Sequence, residues 1–202
     1  MLKVLMENCK CPRGVFGRLL AKTMNKGHAP LSRWAFSVCP PADGESVLDI
    51  GCGGGANLLR ILKSCPRSYV MGVDYSETSV ACSLRLTSEW RNRCSVICAD
   101  VMNLPVDSGL FDRAVSFESV YFWPNPVIAL TEIARVLKPH GKVTVVTEMS
   151  DPQKGKFWTK RCPGMTVYTP EELVSFLEKA GFSDVNVYRT HKVWCAVEGK
   201  KK

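Results

Sequence analysis

Apolar residues in this chain fall into short, nearly continuous runs that alternate with longer segments of helical periodicity. The runs are residues 47–50, 69–73, 95–99, 113–117 and 143–147. A strand covered on both faces reads this way, and strands that alternate with helices build a parallel sheet with right-handed crossovers. Helices are predicted at about 55–64, 77–90, 125–137 and 170–180. The last carries its own start signal, Thr169-Pro170-Glu171-Glu172, in which Thr169 caps and Glu172 reaches back, and Gly181 ends it. Two final runs, residues 185–190 and 193–197, flank a short polar turn and read as an antiparallel hairpin. Ahead of the first strand, residues 12–40 also read as helical. Leu31, Trp34, Ala35 and Val38 follow at i, i+3, i+4 and i+7, with Pro30 suited to a first helical turn, so an apolar stripe is expected to pack down as a cap. The prediction is an α/β fold.

A chain of 202 residues that is 46% hydrophobic has enough apolar surface for one sizeable core, divided here into a cap segment, 1–45, and a single compact domain, 46–202. Ten cysteines fall below the density of a disulfide scaffold, and Lys3, Glu7 and Lys10 interrupt any signal-peptide core. Free thiols in a reducing cytoplasm are expected. No run approaches 18 apolar residues, which excludes a membrane-spanning helix. Neither Cys9-Lys10-Cys11, nor Cys94 with Cys98, nor the scattered histidines 28, 140 and 191 has metal-site spacing, so no metal is expected. The net charge of +8 sits mostly at the ends: residues 1–42 hold seven Lys/Arg against one Glu, and residues 200–202 are all lysine. The N-terminal excess is either a solvated helix face or an arm for nucleic acid or an acidic membrane surface.

Chemistry concentrates at the ends of the first three strands. Asp49 leads into Gly51, Gly53 and Gly55, a strand feeding a glycine loop that turns sharply and lets a ligand approach without a Cβ in the way. The spacing is D-x-G-x-G-x-G; it matches neither the dinucleotide fingerprint nor the P-loop, so the expected ligand is a nucleoside without polyphosphate. The second run ends in Asp74, 25 residues after Asp49, where a carboxylate can accept bonds from both ribose hydroxyls, and the third in Asp100.

These motifs, with Gly72-Val73-Asp74-Tyr75-Ser76, Cys98-Ala99-Asp100, Leu104-Pro105, Phe111-Asp112 and the stretch from Arg135 to Lys142, resemble those of the class I S-adenosylmethionine-dependent methyltransferases, in particular the group that includes the quinone-biosynthesis C-methyltransferases. The resemblance covers roughly residues 45–198 and implies a Rossmann-like sheet of seven strands, mostly parallel, with helices on both faces and the terminal hairpin. It also implies that Asp49, Gly51, Cys52, Gly53 and Gly55 hold the methionine end of S-adenosylmethionine, that Asp74 binds the ribose, that Tyr75 lies against the adenine, and that Asp100 and the Val101 amide take its amine. His140 departs from the family, which commonly has glycine there.

The acceptor side follows the fourth strand, in Glu118-Ser119-Val120-Tyr121-Phe122-Trp123-Pro124. The Asp/Asn-Pro-Pro-aromatic pattern of base-amine methyltransferases is absent. Tyr121, Phe122 and Trp123 either line a pocket for a flat or apolar substrate or pack the loop against the cap. Methyl transfer is an in-line displacement on an activated carbon, and a base is needed only where the nucleophile must lose a proton. Glu118, which also borders the cofactor, is the first candidate base; Glu148 follows at the end of the fifth strand, then Tyr121, Tyr168 and His28; the resemblance implies a cap that closes over the substrate pocket and brings His28 or Trp34 near the methyl group. The expected activity is methyl transfer to a small molecule. The alternatives are an RNA or protein methyltransferase docked through the basic arm, or a non-catalytic S-adenosylmethionine-binding module. The cofactor motifs specify the donor only, leaving open the acceptor, its methylated atom and the oligomeric state.

Overall fold

The computed structural model describes residues 27–162, 164–190 and 193–202, together with Arg13, Gly14, Gly17, Leu19 and Thr23. Most of the basic stretch at the N-terminus therefore lies outside the described residues, as does His191. Among the described residues the chain runs α1 (Ala29–Val38), β1 (Ser46–Ile50), α2 (Ala56–Ser64), β2 (Tyr69–Asp74), α3 (Glu77–Leu86), β3 (Cys94–Cys98), β4 (Phe111–Phe117), α4 (Pro126–Val136), β5 (Leu137–Thr147), α5 (Pro152–Thr159), α6 (Pro170–Lys179), β6 (Phe182–Arg189) and β7 (Cys195–Lys201). The seven strands lie in the order β3-β2-β1-β4-β5-β7-β6. Strands β1 to β5 are parallel, and β7 runs antiparallel to both neighbours. This is the α/β sheet that the alternation of runs predicts.

Strand periodicity divides the core between the two faces. Leu48 and Ile50 of β1 pack with Ala129, Leu130 and Ile133 of α4 and Leu173 and Leu177 of α6. Val47, on the other face, packs with Leu31 and Ala35 of α1, Leu58 and Ile61 of α2 and Val80 of α3. The stripe on α1 thus meets the sheet, and two aromatic contacts fix it: Trp34 lies 6.1 Å from Trp194, and Phe36 lies 5.1 Å from Phe117.

Several elements differ from expectation; β5, for one, begins at Leu137, ahead of the predicted run. Helix α3 stops at Leu86, and residues 88–90 form a separate 3-10 turn, so the predicted 77–90 helix is two pieces. The hairpin strands are longer and shifted: β6 starts at Phe182 and β7 runs on to Lys201 through Glu198 and the lysines. Polar residues fit there because β7 carries Glu198 into an ion network with Arg113 (2.8 Å) and Lys142 (3.2 Å), and Arg113 also holds Glu45 (2.9 Å). Helix α5 was not anticipated; its only buried residue is Gly155, so no apolar stripe announces it.

The capping box of α6 forms as read. Thr169 accepts the Glu172 N–H at 3.2 Å, and the Glu172 carboxylate accepts the Thr169 N–H at 2.8 Å. Thr169→Ala is expected to cost about 1 kcal/mol, read as a fall in the urea midpoint at constant m-value.

Candidate active site

Strand β1 lies between β2 and β4, and the chain leaves it in one direction toward β3 and returns on the other side as β4. That reversal opens a crevice at the C-terminal ends of β1 and β4, the place where open α/β sheets take ligands. The glycine loop fills one wall. Gly51, Gly53 and Gly55 have φ of +71°, +55° and +82°. A Cβ on Gly51 would stand 2.4 Å from Ser119 Cβ, and one on Gly55 would stand 2.9 Å from Ser83 Oγ and 3.0 Å from its Cα. Both positions need glycine twice over, for conformation and for space. Gly55→Ala is expected to destabilise the fold by about 1–2 kcal/mol, the left-handed backbone cost alone, measurable as a lower Tm.

Two serines that sequence spacing does not single out hold this loop. Ser83, on α3, donates to the Gly53 carbonyl at 2.7 Å, and Ser119 donates to the Ile50 carbonyl at 3.2 Å. Ser83 lies 30 residues from the loop in sequence, and only the packing of α3 brings it there. Ser119 adjoins Glu118, but a serine after a strand carries no signal of its own.

Asp49 is 1% exposed, and its Oδ2 has no hydrogen-bond partner within the protein. Burial, reinforced by the nearby Asp74, pushes its pKa up to about 7. An orphaned buried carboxylate oxygen is costly unless a ligand supplies a donor, and a primary ammonium supplies one with charge. Asp74 accepts the Gly53 N–H on Oδ2 and the Ser76 N–H on Oδ1, both at 2.8 Å. Each oxygen keeps a lone pair for a ribose hydroxyl. Burial raises its pKa against those two bonds. Asp100 accepts the Met102 N–H on Oδ1 at 2.9 Å, Val101 is buried beside it, and Tyr75 is 70% exposed at the rim. Cys52 stands apart from these: its N–H donates to Val73 O, its carbonyl accepts from Gly55, and its buried thiol faces Ser83 within the α2–α3 core, where burial raises its pKa well above the usual thiol value. Its contribution is therefore to the loop's shape. The residues present fit S-adenosylmethionine: an anionic hole for the ammonium, a cradle without side chains and a two-oxygen acceptor for the ribose.

Glu118 forms the opposite wall, directly after β4. It has φ of +58°, rare outside glycine. Its carboxylate accepts from the Glu148 N–H and stands 3.0 Å from the Tyr121 hydroxyl. Burial outweighs both bonds and pushes its pKa up to about 8. Tyr121 is 2% exposed; its hydroxyl accepts the Met149 N–H at 2.9 Å and directs its proton toward Glu118 or the Met149 carbonyl. Tyr121 thus braces Glu118 from within the core, and Trp123 is likewise buried, which leaves Phe122 as the partly exposed member of the aromatic trio. His28 enters from the turn before α1, with Nε2 3.8 Å from Glu148 Oε2. Burial lowers its pKa, with Glu148 opposing, so the imidazole is held toward its neutral form. Three candidate groups drawn from the cap, β4 and β5 therefore meet, while Tyr168 pairs with Phe176 on α6.

Comparison with known proteins agrees with this geometry. A methyltransferase domain model matches residues 48–145. The chloroplastic 2-methyl-6-phytyl-1,4-hydroquinone methyltransferase 1 of Oryza sativa subsp. japonica is 30% identical over 174 residues, covering 79% of this chain and 51% of the rice protein. The chain thus spans about half the length of that relative. Among solved structures, the putative methyltransferase in complex with the Trm112 methyltransferase activator of Haloferax volcanii superposes with a TM-score of 0.80 at 20% identity, over 91% of this chain and 93% of that one. A SAM-dependent methyltransferase from Aquifex aeolicus gives 0.76 at 19%, over 92% and 98%. With the switch-point crevice, the orphaned Asp49 oxygen and the strand-end carboxylates in place, residues 48–145 are a methyltransferase domain, and the chain has the fold of the class I S-adenosylmethionine-dependent methyltransferases.

Proposed function

We propose that this protein transfers the methyl group of S-adenosylmethionine to a small-molecule acceptor, releasing S-adenosylhomocysteine. The observation that carries the reading is the meeting of Glu118, Glu148 and His28 one residue from the glycine loop's contact with Ser119, beside the partly buried apolar side chains of Phe122 and Met149. The bound cofactor supplies an activated methyl carbon on a sulfonium. Asp49 holds the ammonium, Asp74 the ribose hydroxyls, Tyr75 and Asp100 the adenine with the Val101 amide, and the glycines leave room for the chain between. Glu118 orients the acceptor and takes its proton where one must leave; Tyr121 and the Glu148 amide fix that carboxylate, and His28 and Glu148 flank it. A flat acceptor with an ionisable hydroxyl suits this wall, as the rice relative's named hydroquinone would. Residues 1–45 serve as the cap and 46–202 as the catalytic domain. We place the reaction in the cytoplasm, which the eight free thiols among the described cysteines support; no described helix is long and apolar enough to cross a membrane.

The test is transfer of radiolabelled methyl from S-adenosylmethionine into whole and desalted extracts of the source cells, with products separated by size and nuclease sensitivity. Label in small, nuclease-resistant material that needs the whole extract is expected. Label in RNA or protein would overturn the reading.

A further inference from the structure

Among the described α-helices α5 is the least buried, and it contributes no residue to the active site. Asp151 caps it, accepting the Gln153 N–H at 2.8 Å, and Gly155 seats it: a Cβ there would stand 2.7 Å from Val167. Everything else faces outward or sits at the margin. Phe157 is 54% and Trp158 42% exposed, and the two rings pack edge to face, 5.3 Å apart at 85°. At helical spacing Lys154, Phe157 and Trp158 share one outward face, i, i+3 and i+4, and Arg161, in the turn that follows the helix, lies over the Phe157 ring. Lys156 and Lys160 flank it, and all four basic residues are exposed. Asp151 is the only acid between 151 and 161.

From this face we infer that α5 is an interfacial helix that docks the protein on an anionic lipid surface. Aromatic side chains held outward among cations are what a helix needs to sink its rings to the headgroup boundary while its charges meet anionic lipid. The same composition attracts RNA, but stacking on a base needs an open ring face. Here the Arg161 guanidinium covers one face of Phe157 at 3.8 Å, and Trp158 takes the ring in an edge contact. The helix begins four residues after Glu148 crosses the end of β5, so docking sets the acceptor side of the crevice against the membrane. An acceptor with an apolar tail then reaches Glu118 without passing through water. The docking itself does not depend on which acceptor is methylated.

The full chain is tested by co-sedimentation with phosphatidylcholine vesicles and with vesicles that also contain phosphatidylglycerol. The expected result is binding to the mixed vesicles, weakened by salt, weakened about fivefold by each of Lys154→Glu and Lys160→Glu, in line with the contribution of one surface cation, and weakened at least about tenfold by Phe157→Ser with Trp158→Ser. Ile128→Ser, at an exposed position of α4, is expected to change nothing. Should the double serine variant fail to fold, quenching of tryptophan fluorescence by brominated lipid decides: it is expected in the parent and lost in Trp158→Phe, which still sediments. No binding to mixed vesicles, equal binding by parent and folded variants, or quenching that survives Trp158→Phe would overturn the proposal. So would binding of RNA that the aromatic substitutions abolish while vesicle binding persists.

Discussion

Asp49→Asn is expected to stabilise the ligand-free protein and to lower its affinity for S-adenosylmethionine by at least about a hundredfold, the scale of a lost buried charge-assisted bond. The two effects have one source. Asp49 is buried with an oxygen that nothing in the protein satisfies, and its pKa stands at about 7 against an ordinary 3.8. The native state therefore keeps a proton that the unfolded chain has released. The contribution of this group to stability is full below pH 4 and is lost as pH rises through about 7. The parent, without ligand, should lose stability across that window, and Asn, which has no charge to bury, should remove this component of the slope. Thermal melts of both proteins from pH 4 to 8, with and without the cofactor, check it. A parent no less stable at pH 7 than at pH 4, or an Asn variant that binds as tightly as the parent, would contradict the role assigned to this oxygen. A binding site kept at the expense of apo stability is the trade expected where function needs a strained or uncompensated group.

Much of this site is legible in the chain because the groups that matter sit at strand ends. A continuous apolar run marks a strand buried on both faces, and the residue that follows it in a parallel sheet lands on the ligand edge. Asp74, Asp100 and Glu118 can be placed by that rule; Asp49 lies inside the first run, one residue before the end of β1, and is marked by the glycines that follow it. What the pattern leaves out is contact at a distance. Ser83 touches Gly53 only because α3 folds back across the loop. Cys52 lies in the loop by sequence, yet its side chain belongs to the core beneath it. Tyr121 and Trp123 look like pocket walls in a string of aromatics; in the fold, their turn after β4 points both inward, and Tyr121 reaches the cluster by its hydroxyl alone. Helix α5 escapes notice for the opposite reason. Periodicity finds helices through their buried stripe, and a helix seated on one glycine has none.

Glu118→Gln should lower turnover by about a hundredfold or more with the acceptor recovered from the extract, the scale on which a general base contributes. Binding of S-adenosylmethionine should change far less, because the ammonium and ribose partners remain. The pH profile separates this role from a structural one. Glu118 has its pKa at about 8, above the ordinary 4.5, so near neutrality it is largely protonated and becomes a base only as the pH rises. Turnover in the parent should climb through about pH 8 and then level, while the Gln variant should lose that limb. Tyr121 gives a second handle: its hydroxyl bond to Glu118 lowers the carboxyl pKa against the effect of burial. Tyr121→Phe removes that bond, so the rising limb should move to higher pH with the plateau rate largely retained. A residue that merely fills space would reduce the plateau and leave the limb in place. A Gln variant with the parent's limb would assign the proton to another group, and that group would not be His28, whose depressed pKa would put its limb below pH 6.5.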